Sequence, residues 1–153
     1  MSDTEVVVIG AGPFGLSISA YLSALNMDHL IVGRPMDTYR VRVPDGMMMK
    51  SEPYASTIAS PDGKYTVAAY CAAHNLDYVD RKGPLSRQRF LDYADWYTQQ
   101  LVPDVRDETV TSVTPLSGGG FRVTFHVFRM FGMFLMAFHA FIHSFVTHNQ
   151  VFK

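Results

Sequence analysis

The stretch EVVVIGAGPFGLS, residues 5–17, constrains this chain more than any other part of it. Residues 4–9 (TEVVVI) are a short β-branched run closed by Gly10, and they read as a fully buried strand of a parallel sheet. Residues 13–26 then read as a helix, with Ile18, Leu22 and Leu25 along one face. Residues 29–32 (HLIV) read as a second strand, so the start of the chain predicts a right-handed βαβ unit. Between the first strand and the helix lies Gly10-Ala11-Gly12-Pro13-Phe14-Gly15. Gly10 permits a tight turn out of the strand. Gly12 has no side chain to hold a pyrophosphate away from the backbone. Gly15 lets the helix pack close to the sheet. The free N–H groups at the start of the helix then face the phosphates. A GxGxxG says little by itself, but between a strand and a helix it is a dinucleotide-binding fingerprint.

Such folds commonly place an acidic residue at the end of the second strand, to bind a ribose. Here LIVGRP puts Gly33 and Arg34 there. Two readings stay open on the residues alone. Arg34 meets a 2′-phosphate and the site takes NADP, or Arg34 is a solvated arginine and the ribose is held by another group such as Asp37.

The 153 residues suffice for one domain with a core, and 48% hydrophobic content with 18% charge predicts folding rather than disorder. A net charge of −1 gives no broad attraction to nucleic acid or anionic lipid, so the expected ligand is a small molecule and no nucleic-acid partner is expected. Cys71 is the single cysteine. It fits a reducing, cytoplasmic setting and excludes electron transfer through a pair of cysteines within this chain. The apolar start lacks a preceding basic region and reads as a strand rather than a secretory signal.

Residues 34–63 read as a long irregular excursion holding Met47, Met48 and Met49, and an excursion of that length is usually functional. Residues 65–75 read as a helix around Cys71, a structural thiol, with His74 near its end as a cap. Ser86 is a candidate N-cap for a helix in which Phe90, Ala94, Tyr97 and Leu101 share one face, with Trp96 structural. Pro103 ends it. Residues 109–115 and 121–125 read as strands joined by a hairpin through residues 117–120.

The ordered set VVVIGAGPFGLSISAYL, GRPMDTYR, GMMMKSEPYAS, RFLDYADWYTQQL and ETVTSV resembles the N-terminal part of flavin-containing monooxygenase-like FAD/NAD(P)-binding oxidoreductases. The resemblance covers residues 4–125. It implies an α/β, Rossmann-like FAD/NAD(P)-binding domain: three layers, a parallel sheet and a β-hairpin or meander. It implies FAD, rather than NADP, at the loop of Gly10, Gly12, Pro13, Phe14 and Gly15. NADPH would bind at a second glycine motif that such enzymes carry much later. Tyr39 matches a position where the family usually has tryptophan, near the flavin side of the loop. Lys50 matches a lysine close to the flavin, and Val110 a position whose backbone contacts adenine. Gly33 departs from the family's usual glutamate. Met47 stands where many members carry asparagine near the reactive flavin face, which sets the chain apart from the family's usual oxygen chemistry. The expectation is the FAD-binding portion of an NAD(P)H-using oxidoreductase, truncated and incomplete as a catalyst. A non-catalytic dinucleotide-binding module is the alternative.

After Phe125 the composition shifts. Residues 126–153 hold seven of the 11 phenylalanines and four of the 6 histidines, with no acidic residue. Phe131, Phe134, Phe138, Phe141 and Phe145 follow helical spacing. A membrane span is disfavoured because His139 and His143 interrupt the apolar run. Those two histidines stand at i and i+4, where one metal ion could be shared, but no nearby acid completes a ligand set. The favoured reading makes residues 126–153 a segment foreign to the family pattern, from a frame change, a retained intron or a truncated gene model. The expected domain boundary therefore separates 1–125 from 126–153.

Overall fold

The computed structural model describes residues 4–127 and 146–152. β1 (Val6–Ile9) and β2 (His29–Val32) pair in parallel, with Val6 opposite His29 and Ile9 opposite Val32. α1 (Pro13–Ala24) connects them, with Pro13 at its start, where the missing N–H of proline costs nothing. Arg106 extends this small sheet on the far side of β2. It bridges Val32 in parallel, and its carbonyl accepts from the Gly33 N–H at 2.8 Å.

The excursion after β2 contains a π-helical turn at Thr38–Arg42 and a 3-10 turn at Tyr54–Ser56. α2 (Val67–Ala73) is capped by Thr66, whose hydroxyl accepts from the Ala69 N–H. α3 (Arg87–Leu101) is capped by Ser86, whose hydroxyl accepts from the Arg89 N–H at 3.1 Å. Phe90, Ala94 and Tyr97 on its expected face are buried. β3 (Glu108–Pro115) and β4 (Phe121–Val127) form the expected hairpin, with a bulge between Val110 and Ser112.

β5 (Val146–Phe152) pairs antiparallel along the whole of β4, from Phe121 opposite Phe152 to Val127 opposite Val146. β4 thus crosses the composition change at residue 126, and β5 lies wholly beyond it. The helical phenylalanine stripe of residues 131–145, the His139–His143 pair and the question of a membrane span fall outside the described residues.

Two clusters of apolar side chains hold the fold. Val8 and Ile31 belong to one with Leu16 and Ala20 of α1 and Phe90, Tyr93, Ala94 and Tyr97 of α3. Val32 belongs to the other with Val123 and Phe125, and Val7, Leu30 and Val110 pack on it. Alternation along β1 and β2 sends neighbouring residues to opposite sides, so both clusters draw on one pair of strands.

Two expectations are corrected. β1 is only partly buried: Val8 is inside, but Val6 and Val7 are half-buried and Ile9 is exposed. Among the described residues β1 has a partner on one edge only, so the second edge gains no cover. On α1, the buried residues are Gly15, Leu16, Ser19 and Ala20, and of the expected Ile18–Leu22–Leu25 face only Leu22 packs, half-buried, on the main cluster. Ile18 is 51% and Leu25 68% exposed. The cause is distance. A Cβ at Gly15 would lie 1.9 Å from the Gly10 carbonyl oxygen, so the side of α1 facing the sheet admits mainly small residues.

Candidate dinucleotide site at the glycine loop

The loop between β1 and α1 begins at Gly10, whose φ of +102° is open to glycine and strained for other residues. Its N–H donates to the Val32 carbonyl at 2.8 Å, which ties the start of the loop to the end of β2. Gly12 is the N-cap of α1 and has ordinary extended geometry, with φ −79° and ψ −176°. A Cβ there would meet nothing within 4 Å, whereas one at Gly15 would strike backbone. The first-turn N–H groups of Phe14 and Gly15, and that of Gly12, have no acceptor among the described residues. Phe14 projects outward, 85% exposed.

Gly33 comes against the same loop. A Cβ at Gly33 would lie 3.0 Å from the Ala11 nitrogen and 3.1 Å from the Gly10 Cα, at a φ of +143°. Arg34 follows it at the surface and pairs with Asp37 at 3.6 Å, both side chains about half exposed. The Met36 N–H donates to the Ala11 carbonyl at 2.9 Å, and the Met36 side chain is buried in the main core. Tyr39 is half-buried and meets Phe90 edge to face, with ring centroids 5.1 Å apart. Val110 packs on the cluster that contains Val32.

The structure therefore gathers Gly10, Gly12, Pro13, Phe14, Gly15 and Gly33 into one loop cluster, with Arg34 at its edge. Tyr39 and Val110 are joined to it through the core. Lys50 stands apart. It is exposed, follows the Met47–Met49 run, and makes no ion pair among the described residues. Met48 is bridged to Ser86, and the Met49 N–H donates to the Leu85 carbonyl at 2.8 Å. Met48 also lines a half-open cavity of about 300 Å³ with Asp77, Val79, Pro84, Ser86 and Arg89. Cys71 is buried on α2, and the His74 ring nitrogen Nδ1 lies 2.8 Å from the Tyr70 carbonyl, as a cap would.

Sequence reasoning passed over Arg87 and Asp45. Arg87 is buried at the first position of α3, and its guanidinium binds the excursion. The available signal was a cation at the positive end of a helix, which needs compensation from elsewhere.

Among the described residues no helix is long and apolar enough to cross a membrane, and no cluster of potential metal ligands occurs.

No protein-family model matches the chain, and no curated protein matches it in sequence. Solved structures do match in fold. The bacillithiol disulfide reductase Bdr (YpdA) from Staphylococcus aureus aligns with a TM-score of 0.62 at 20% identity, over 82% of this chain and 34% of its own. DfoA from Erwinia amylovora, a cadaverine monooxygenase solved with FAD, aligns with a TM-score of 0.70 at 14% identity, over 99% of this chain and 34% of its own. OTEMO, solved with FAD and NADP, aligns with a TM-score of 0.61 at 19% identity, over 82% of this chain and 23% of its own. The chain spans about a third or less of the length of these structures. It has the mixed α/β, Rossmann-type fold of the aligned portions of these structures.

Proposed function

We propose that the chain is the FAD-binding portion of a flavin-dependent, NAD(P)H-using oxidoreductase of monooxygenase-like type. One observation carries this. Among the described residues Gly12 has no internal reason to be glycine, because its backbone geometry is ordinary and a Cβ would meet nothing within 4 Å. Its bare backbone stands beside N–H groups that no described residue uses. A pyrophosphate fits that combination of open space, free donors and helix N-terminus.

Gly10, Gly12 and the first turn of α1 would hold the FAD pyrophosphate. Pro13 and Phe14 would flank it, and Gly15 would keep α1 close enough for the donors to reach. Gly33 leaves the ribose without an acid at the strand end, and Asp37 is the carboxylate this segment offers instead. Tyr39 and Lys50 would stand on the flavin side, and the Val110 backbone beside adenine. When bound, the flavin supplies two-electron redox chemistry, and the protein contributes position and solvent exclusion. NADPH would need parts that the longer flavoproteins carry elsewhere. The greater length of the matched structures supports reading this chain as one portion of such an enzyme.

The test is FAD uptake by the purified chain, followed by its absorbance in the near ultraviolet and blue and by titration. The expected outcome is that FAD binds and NADP does not displace it. Gly12→Ala keeps the circular dichroism and melting temperature of the parent but loses FAD affinity on the order of tenfold or more, because a methyl stands where the phosphate sits. A folded parent chain that takes up NADP and not FAD would overturn the reading.

A further inference from the structure

We propose that Arg87 is a positioning residue, which through Asp45 clamps the excursion to the first turn of α3 and so couples it to the glycine loop. This rests on FAD binding at that loop. The Arg87 side chain is 10% exposed. Its position places a cation at the positive end of α3, and its burial removes water from that charge, so both effects oppose it. Three acceptors from the excursion offset them. Nε donates to the Tyr39 carbonyl at 2.7 Å and Nη2 to the Arg40 carbonyl at 2.9 Å. Nη1 donates to the Asp45 carboxylate. The Arg87 backbone N–H donates to the Met47 carbonyl at 2.8 Å.

The other end of the same segment is bonded to the glycine loop. The Met36 N–H donates to the Ala11 carbonyl, and the Tyr39 and Arg40 N–H groups donate to the Met36 carbonyl at 2.9 and 3.1 Å. Arg40 adds a second tie, with Nε on the Pro35 carbonyl at 3.0 Å and Nη2 on Asp95 of α3. A continuous run of hydrogen bonds therefore joins Ala11 to the start of α3. A planar guanidinium fork meets three acceptors at once, which a lysine ammonium on a flexible stem does not reproduce. Asp45 is the one charged member of that set, and its side chain is 96% exposed. It can be changed without opening the core.

The experiment pairs limited trypsin digestion of the whole chain with FAD titration. Arg42 and Lys50 are exposed cleavage sites within the excursion, and Lys64 and Arg122 are exposed controls outside it. In the flavin-free chain, Asp45→Ala speeds cleavage after Arg42 and Lys50 by about threefold, and Arg87→Met by about tenfold or more, with the control sites unchanged. FAD affinity falls in the same order. Asp45→Glu restores both to parent values. Should Arg87→Met fail to fold, Asp45→Ala and Asp45→Glu carry the test. Parent cleavage rates in Asp45→Ala and Arg87→Met would overturn the clamp, and faster cleavage with FAD affinity unchanged would overturn the coupling. A parent chain that takes up no FAD overturns the functional reading and the coupling with it. The trypsin rates of the flavin-free chain report on the clamp separately.

Discussion

At the residue scale, the glycines of one loop have different causes and should fail differently. Gly15 is a steric requirement: a Cβ would lie 1.9 Å from the Gly10 carbonyl oxygen, and backbone cannot yield as a side-chain tip can. Gly15→Ala is expected to push α1 off the sheet and to destabilise the fold by about 3 kcal/mol or more, read in thermal unfolding. Gly33 looks in sequence like the loss of a ribose-binding acid, and restoring glutamate looks like a repair. The geometry argues otherwise. At φ +143°, with backbone atoms 3.0 and 3.1 Å from a would-be Cβ, Gly33→Glu strains the link between β2 and the loop. It is expected to cost on the order of 1–3 kcal/mol and to lower FAD affinity. A Gly33→Glu chain that melts at the parent temperature and binds FAD more tightly would show that the strand end relaxes more freely than its contacts suggest.

At the element scale, α1 and α3 differ in how plainly their sequences announce their packing. α3 was legible. Its cap, Ser86, and its buried residues Phe90, Ala94 and Tyr97 follow from polarity, size and helical spacing. α1 was legible as a helix but not in its orientation. Phe14, Ile18 and Tyr21 face outward, and the packed side carries Gly15, Ser19 and Ala20, with Leu16 and the half-buried Leu22 the exceptions. A pattern read by hydrophobic size misses a face chosen for closeness. The prediction separates the two faces. Leu16, which has no exposed surface, should cost about 2–5 kcal/mol as Leu16→Ala. Leu25, 68% exposed, should change stability by no more than about 0.5 kcal/mol as Leu25→Ala. Urea unfolding of both variants checks the assignment, and equal losses would contradict it. The glycine loop was legible because its residue types are tied to backbone geometry over a few adjacent positions. The Arg87 clamp was not. Its acceptors lie 42 to 48 positions away, and two are backbone carbonyls that carry no side-chain identity to read.

At the scale of the whole molecule, the helices are tied to the excursion through hydroxyl groups, and these give stability a pH dependence. The Tyr93 hydroxyl donates to the Tyr65 carbonyl at 2.8 Å and accepts from the Ile58 N–H at 2.9 Å. The Tyr97 hydroxyl donates to the Ala59 carbonyl at 2.7 Å, and Ser17 of α1 reaches the same carbonyl at 2.9 Å. Tyr21 of α1 donates to the Ser60 carbonyl at 3.2 Å. Residues 58–60 are thus held by α1 and α3 together. Burial raises both Tyr93 and Tyr97 above the ordinary phenol value of 10.0, and for Tyr97 the neighbouring Tyr93 adds to it. Because the folded chain keeps these protons longer than the unfolded chain, their contribution is complete below pH 10 and is lost as pH rises towards the raised folded values. Melting temperature followed from about pH 7 to about pH 11 should lose this contribution only on the alkaline limb, together with phenolate absorbance appearing on unfolding. Tyr93→Phe removes the donor to Tyr65 and leaves the Ile58 N–H unpaired. It should cost about 1–3 kcal/mol at neutral pH and make the alkaline fall shallower, with Tyr97, Tyr70 and Tyr78, whose hydroxyls burial also raises, supplying what remains. An unchanged alkaline limb in Tyr93→Phe would place the pH dependence on other groups and leave the Tyr93 contacts with a packing role alone.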